Sequence, residues 1–416
     1  MAENNCDDEN VKVKRIKLSE GDNQNLSIND LPEECLLGIF SRLHFCELLQ
    51  VEKVCQRWGS LCEQLWKKMT KISSEYGRWT IDHTNWYVTD SDIHVEVIKE
   101  LLERCGKYIT HFNISRISST DPLNITKNLL TTVPQLCKNL TKLEIGWLDE
   151  KLELDFCKIL ENNKKLKKLI INSNEDGEMT SDLTGKFLQY LSPDVEKIYL
   201  DQNYNRDSYS FITAFRKFKC LQLFQCDGIF ADYAMMQALT RNRSLIKLSL
   251  SSAEFESPMR SINTLGNLVN LKKLNLSFVE QLEDDNLIHI SNNCKQLKAL
   301  SIEVCKKITD NGIVSIANLQ NLECLSMARL DHVTDDSIGN LPGSLELLWK
   351  SSKLWYINLI DTSATKALNQ IVEEVNRTRL SCNQIEILTG KTDYESRKSP
   401  PGPFIYDSDD DEICFF

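Results

Sequence analysis

No stretch of this chain approaches the ~18 apolar residues that a membrane-crossing helix needs, and none follows its opening MAENNCDDEN. A secreted or membrane-spanning protein is therefore not expected. Histidine is scarce, six in all, and several motifs are absent: a Cys-x-x-Cys pair, a His-Glu-x-x-His, a phosphate-cradling glycine loop and a nucleophile elbow. No catalytic or metal-ligating residue can be nominated, and no cofactor is expected. A basic surplus is missing too: 49 lysines and arginines face 60 acidic residues, for a net charge of -11, which disfavours general affinity for nucleic acid or anionic membrane and leaves a basic protein target open.

What is present points to a folded protein, since 41% hydrophobic content over 416 residues can bury a large core spread over two or three domains. The fifteen cysteines are scattered singly, so they read as reduced, mostly buried thiols in cytoplasm or nucleus and not as a disulfide scaffold. Sequons at Asn113, Asn139 and Asn275 carry little weight without a signal sequence.

Residues 1–25 are polar and charged, the composition of a disordered arm, and contain the basic run Lys12-Val13-Lys14-Arg15-Ile16-Lys17, a solvated stretch or a nuclear-import patch. Organisation begins at Asp30-Leu31-Pro32-Glu33-Glu34, where proline suits a helix first turn and acids complement the dipole. Leu36, Ile39, Phe40 and Leu43 then recur on one helical face, and Leu48, Val51, Val54, Cys55, Trp58, Leu61, Leu65 and Trp66 continue the period. The spacing predicts a small all-helical module over 26–70. Surplus apolar surface on so small a module calls for a partner or for packing against the rest of the chain.

From residue 105 an apolar-x-x-apolar-x-apolar motif repeats: Ile109/Phe112/Ile114, Leu140/Leu143/Ile145, Leu166/Leu169/Ile171, Val195/Ile198/Leu200, Phe218/Leu221/Leu223, Leu245/Leu248/Leu250, Leu271/Leu274/Leu276, Leu297/Leu300/Ile302, Leu322/Leu325/Met327 and Leu354/Ile357/Leu359. First positions are 31, 26, 29, 23, 27, 26, 26, 25 and 32 residues apart, close to the ~20–29 of leucine-rich repeats. Each unit is a strand followed by a helical stretch, and stacking covers what a single unit leaves exposed. The fold class expected is α/β: a small helical module, then a leucine-rich-repeat horseshoe over 105–388. Residues 71–104, with Trp79, Trp86 and Tyr87, read as a junction or cap, and 389–416 as a flexible acidic tail.

The segment Leu31-Pro32-Glu33-Glu34-Cys35-Leu36-Leu37-Gly38-Ile39-Phe40, with Leu43, Leu48, Val54-Cys55-Gln56-Arg57-Trp58 and Leu65-Trp66, resembles an F-box. Leu297-x-x-Leu300-x-Ile302-x-x-Cys305-x-x-Ile308-Thr309-Asp310-x-Gly312-Ile313 resembles the cysteine-containing subclass of leucine-rich repeats; the next unit keeps Val333-Thr334-Asp335 but has Leu330 at the cysteine position. Together they resemble the F-box/leucine-rich-repeat proteins. That resemblance implies a noncatalytic subunit of an SCF ubiquitin ligase, whose F-box binds a Skp adaptor leading to cullin and RING subunits while the repeats hold a protein substrate. The adaptor contacts it implies are Leu31, Pro32, Glu33, Leu36, Leu37, Ile39, Phe40, Leu43, Leu48, Val51, Val54, Cys55, Trp58, Leu65 and Trp66, an internal core being the competing role for Leu36, Ile39, Phe40 and Val54 and, more evenly, for Cys55, Trp58 and Trp66. The rival function is a nonproteolytic scaffold.

Strand positions between the leucines should face a concave surface. These give Lys142, Lys168, Lys197, Lys247 and Lys273, with Trp147, Ile170, Tyr199, Phe224 and Phe278 beside them, a cationic and aromatic surface for a protein substrate. Lysine is also ordinary at exposed strand positions. Asp407, Asp409, Asp410, Asp411, Glu412, Phe415 and Phe416 complement that surface, as a lid upon it or as a plain solvated tail.

Overall fold

The computed structural model describes residues 27–75, 78–81, 95–115, 122–146, 148, 150–172, 184–200, 208–334, 353–362, 373, 376–377 and 386–388. The expectations for the arm 1–25, for Trp86, Tyr87, Trp147 and Asp335, and for the segment 389–416 fall outside these residues.

Three helices form the first module: α1 (Glu33–Phe40), α2 (Phe45–Val51) and α3 (Gln56–Trp66). Pro32 stands just ahead of α1 as its N-cap, with Glu33 and Glu34 in the first turn against the positive end of the dipole. At α2 the cap is a histidine: His44 Nδ1 accepts from Cys46 N at 3.3 Å, and Glu47 Oε2 accepts from His44 N at 2.8 Å. Leu36, Phe40, Phe45, Leu48, Leu49, Leu61, Leu65 and Trp66 are buried between the helices, where Phe40 meets Trp58 edge-on at 5.1 Å.

The repeat array starts earlier than the leucine motif suggests. Residues 71–104 supply β1 (Lys71–Glu75), β2 (Arg78–Ile81) and α4 (Val95–Cys105), and β1 pairs in parallel with β3 (His111–Ile114) while β2 lies antiparallel at the edge. The parallel sheet continues through β4 (Lys142–Ile145), β5 (Lys168–Ile171), β6 (Lys197–Leu200) and β7 (Leu223–Cys226). A short pair, β8 (Phe230–Ala231) with β10 (Glu254–Phe255), stands apart from it. The main sheet resumes with β9 (Lys247–Ser249), β11 (Lys273–Asn275), β12 (Ala299–Ser301), β13 (Cys324–Ser326), β14 (Tyr356–Asn358) and β15 (Glu386–Leu388). The intervening helices include α5 (Pro122–Leu136), α6 (Glu150–Asn162), α7 (Ser208–Lys217), α8 (Tyr233–Leu239), α9 (Pro258–Asn263), α10 (Asp284–Asn293) and α11 (Asp310–Ser315).

The motif explains this geometry. Phe112, Leu143, Leu169, Ile198, Phe224, Leu248, Leu274, Leu300, Leu325 and Ile357 are buried and pair in register, strand after strand, while their strand neighbours face the other way. Packed helices need ~8–10 Å between axes and strands only ~4.8 Å, so stacking repeats must curve with the sheet inside. The fifth repeat is Leu221/Phe224/Cys226 and not Phe218/Leu221/Leu223: Phe224 pairs with Ile198 and Leu248, and Leu223 with Lys197 and Lys247.

Repeats are also tied edge to edge. Asp284 accepts from Thr309 N at 2.8 Å and Thr309 Oγ1 at 2.6 Å, and Asp310 accepts from Thr334 N and Oγ1, each at 2.8 Å, so the Thr-Asp pairs of the sequence are links between successive units. Beyond the strand ends, Ser252, Phe278, Val304, Arg329 and Asp361 all take positive φ, at 55°, 61°, 59°, 56° and 57°, a conformation unfavourable for residues with a Cβ. Hydrogen bonds into the next repeat hold it: Ser252 N to Ser277 O (2.9 Å), Phe278 N to Glu303 O (2.7 Å), Val304 N to Ala328 O (3.0 Å) and Arg329 N to Ile360 O (2.8 Å).

Candidate functional site

Two surfaces carry the candidate residues. On the helical module the structure divides the expected adaptor contacts by depth. Leu36, Phe40, Leu48, Leu65 and Trp66 are buried in the core and present no surface to a partner in this conformation, which corrects their placement at an interface. The reason is size: a three-helix module needs its own apolar centre, and these side chains are the ones that converge. Leu31, Leu37, Leu43, Val51 and Trp58 are half-buried; Pro32, Glu33, Ile39, Val54 and Cys55 are exposed. Ile39 at 41% and Val54 at 59% are large apolar groups left in water. Trp58 Nε1 is shut off from water and has no acceptor among the described residues.

This module is bolted to the solenoid. Glu52 Oε2 accepts from Trp66 Nε1 at 2.9 Å while its Oε1 accepts from Arg104 Nε at 2.9 Å, joining α3 to α4, and Lys53 meets Glu100 at 3.2 Å. One continuous apolar core runs from Leu36 to Leu359 through both parts. Sequence reasoning missed Glu52; a lone acid among apolar helical positions is its only signal.

The second surface is the inner face of the sheet. Lys142, Lys168 and Lys197 are consecutive partners on β4, β5 and β6, and Lys247 and Lys273 are partners on β9 and β11, with Leu223 of β7 filling the step between the two groups. Phe224 is corrected: it points away from this face, buried against Phe215 at 4.9 Å, because the true register puts it at a leucine position. Phe278 lies past the strand end on the rim, exposed. Ile170, Tyr199 and Leu223 stand on the inner face as a cluster separate from the main core, with exposures of 3, 6 and 7%. Lys168 Nζ lies 5.2 Å from the Tyr199 ring centre.

Toward β15 the face changes character. Ser249, Asn275, Ser301, Ser326 and Asn358 form a middle row of small polar groups, linked by Asn275 Nδ2 to Ser249 Oγ at 3.2 Å and by Ser326 and Asn358 donating to Glu303. The signal for this row was available: each residue sits between the second and third apolar positions of its motif.

Among the described residues no group of three or more His, Cys, Asp or Glu side chains is placed to hold a metal ion. Burial pushes the thiols of Cys137 and Cys305 up to about 12, and those of Cys62, Cys157 and Cys294 up to about 11, so at neutral pH these are protonated packing groups.

The fold and its two surfaces define a leucine-rich-repeat protein with a helical module at its head. Residues 28–72 match the F-box-like family model, and the strands and helices that follow have the leucine-rich-repeat arrangement described above. Similar solved structures include an internalin from Listeria monocytogenes (13% identity, 87% of this chain and 89% of that one, TM-score 0.41). A second internalin, C2, of the same organism shares 16% identity over 64% of this chain and 92% of its own, TM-score 0.37. The complex of Rad7 and Elc1 from yeast gives 18% identity, 73% and 91% coverage, and a TM-score of 0.42.

Proposed function

We propose that this chain is the substrate-recognising subunit of an SCF-type ubiquitin ligase. Its F-box-like module docks a Skp-type adaptor leading to cullin and RING subunits, and the inner face of the solenoid holds a protein substrate. The chain performs no bond chemistry; it raises the concentration of a substrate lysine near a ubiquitin-charged enzyme supplied by others, in cytoplasm or nucleus.

The observation that carries this reading is the pair Ile39 and Val54, exposed at 41% and 59% on a module that matches the F-box-like family. Burying each under a partner is worth ~1.5–3 kcal/mol, enough together for specific docking. The full chain with Ile39→Asp and Val54→Asp should lose affinity for a recombinant Skp-type adaptor by on the order of a hundredfold at unchanged melting temperature. Leu36→Ala should instead cost about 2–5 kcal/mol of stability, as a core deletion does. Undiminished adaptor binding by the folded double variant would reject the reading. Adaptor binding without ubiquitin transfer to a captured partner would favour a nonproteolytic scaffold.

A further inference from the structure

We propose that the inner face around β12 and β13 takes a basic segment of a partner protein: one lysine or arginine on the Glu303 carboxylate and a neighbouring apolar side chain against Phe278. This deepens the reading of the inner face as a substrate surface and rests on that part of it alone, not on adaptor docking at Ile39 and Val54.

The floor of the face comes first. Alternation along the strands puts Ala299, Ser301 and Glu303 of one repeat, and Cys324, Ser326 and Ala328 of the next, on the inner side, with Leu300, Ile302, Leu325 and Met327 buried behind them. Lys273 on β11 and Tyr356 on β14 flank this stretch of short side chains. Of the six, Glu303 alone is charged and long.

Its carboxylate is held from one side. Ser326 Oγ and Asn358 Nδ2, the latter at 3.3 Å, both donate to Oε1, and Asn358 is oriented for this because its Oδ1 accepts from Ile360 N at 3.1 Å. The neutral groups nearby are engaged with one another: Ser277 Oγ and Ser301 Oγ lie 2.7 Å apart, and Asn275 Oδ1 accepts from Ser277 N at 2.9 Å. Among the described residues Oε2 receives no hydrogen bond and Glu303 forms no ion pair. Cations of the same and the next repeat are committed elsewhere, Lys298 to Glu323 at 2.7 Å, Lys307 to Glu283 at 2.6 Å and Arg329 to Asp361 at 3.4 Å. A carboxylate fixed through one oxygen, with the other left over, is a receptor for a cationic donor, and its prior fixation lowers the ordering cost of binding.

Phe278 supplies the second contact. Its φ of 61° lies where glycine or asparagine is favoured, and its ring is 45% exposed, so neither the backbone nor the core accounts for a phenylalanine here. Phe278 N donates to Glu303 O at 2.7 Å, which sets ring and carboxylate on neighbouring repeats, ~4.8 Å apart at the backbone. An extended chain advances ~3.3 Å per residue, so the occupant carries its basic residue one or two positions from a bulky apolar one. The net charge of -11 acts in the same sense, drawing in a basic partner.

The probe is a random peptide library displayed on phage and selected against the full chain, the recovered peptides then being made with a fluorescein label. They should share a lysine or arginine beside a bulky apolar residue, bind more weakly as salt rises, and lose about tenfold or more in affinity on Glu303→Gln. Glu303→Arg should reverse the preference, taking the same peptides once their basic residue is replaced by glutamate. Phe278→Gly should weaken binding at a melting temperature equal to or above that of the unaltered chain, because glycine relieves the left-handed backbone; lost contact is thereby told apart from lost folding. Recovery of no such sequences overturns the proposal, as does affinity indifferent to Glu303→Gln in a chain of unchanged circular dichroism or undiminished by Phe278→Gly. None of these outcomes depends on what the Ile39 and Val54 variants do to adaptor binding.

Discussion

Gly312 shows how one missing side chain can hold two repeats together. A Cβ there would lie 2.4 Å from Asp284 Oδ1 and 3.3 Å from the Asp284 Cα, displacing the carboxylate that receives the Thr309 backbone and hydroxyl. Ala at a helix position ordinarily gains about 1 kcal/mol over Gly. Here the lost charge-assisted bonds outweigh that gain, and Gly312→Ala should destabilise the chain by about 1–3 kcal/mol in urea unfolding. A stability equal to or above that of the unaltered chain contradicts the account. At this scale the sequence displayed the Thr-Asp-x-Gly pattern but not its meaning, because the acceptor, Asp284, sits one repeat earlier. It likewise grouped Leu36, Phe40, Ile39 and Val54 as equivalent apolar residues. Periodicity reports that a residue is apolar on one face; whether that face meets the core or water depends on how three short helices close on each other.

Among the elements, α2 carries a titratable cap. Desolvation lowers the His44 pKa below its usual 6.5, with Glu47 opposing the shift. The neutral ring accepts from Cys46 N, so the cap's contribution is present above about 6.5 and is lost as pH falls through the lower folded value. Amide exchange over 45–51 should therefore rise several-fold, beyond the intrinsic pH effect, between pH 7.5 and 5, and His44→Asn, which keeps an acceptor without titrating, should remove that dependence. The same pH profile in both proteins would contradict the cap. Element types were largely legible, since the helical period of the first module and the strand motif are strong patterns. Two places were not. Phe218-x-x-Leu221-x-Leu223 and Leu221-x-x-Phe224-x-Cys226 both satisfy the template, and only cross-strand pairing decides between them. Lys71–Glu75 offers Ile72 alone as an apolar residue, so its strand is specified by its neighbour β3 and not by its own composition.

Across the whole molecule, Glu52 is one of the polar links between the helical module and the solenoid, beside the shared core and the Lys53–Glu100 pair. Glu52→Ala leaves Trp66 Nε1 and one face of Arg104 without their acceptor, which should cost about 1–3 kcal/mol and loosen the joint. If the proposed ligase role holds, substrate capture by this variant should persist while ubiquitin transfer slows, measured side by side on one substrate; full transfer by a protein of undiminished stability would show that the joint does not set the geometry. The row of left-handed residues past the strand ends reaches further. Since Ser252, Phe278, Val304 and Arg329 each donate their strained backbone N–H to a carbonyl one unit away, the array can change length by whole turns and not by fractions of one. A related chain that gained or lost a complete unit would keep every link and simply move its far end along the coil, whereas an odd insertion inside a unit would break two links at once.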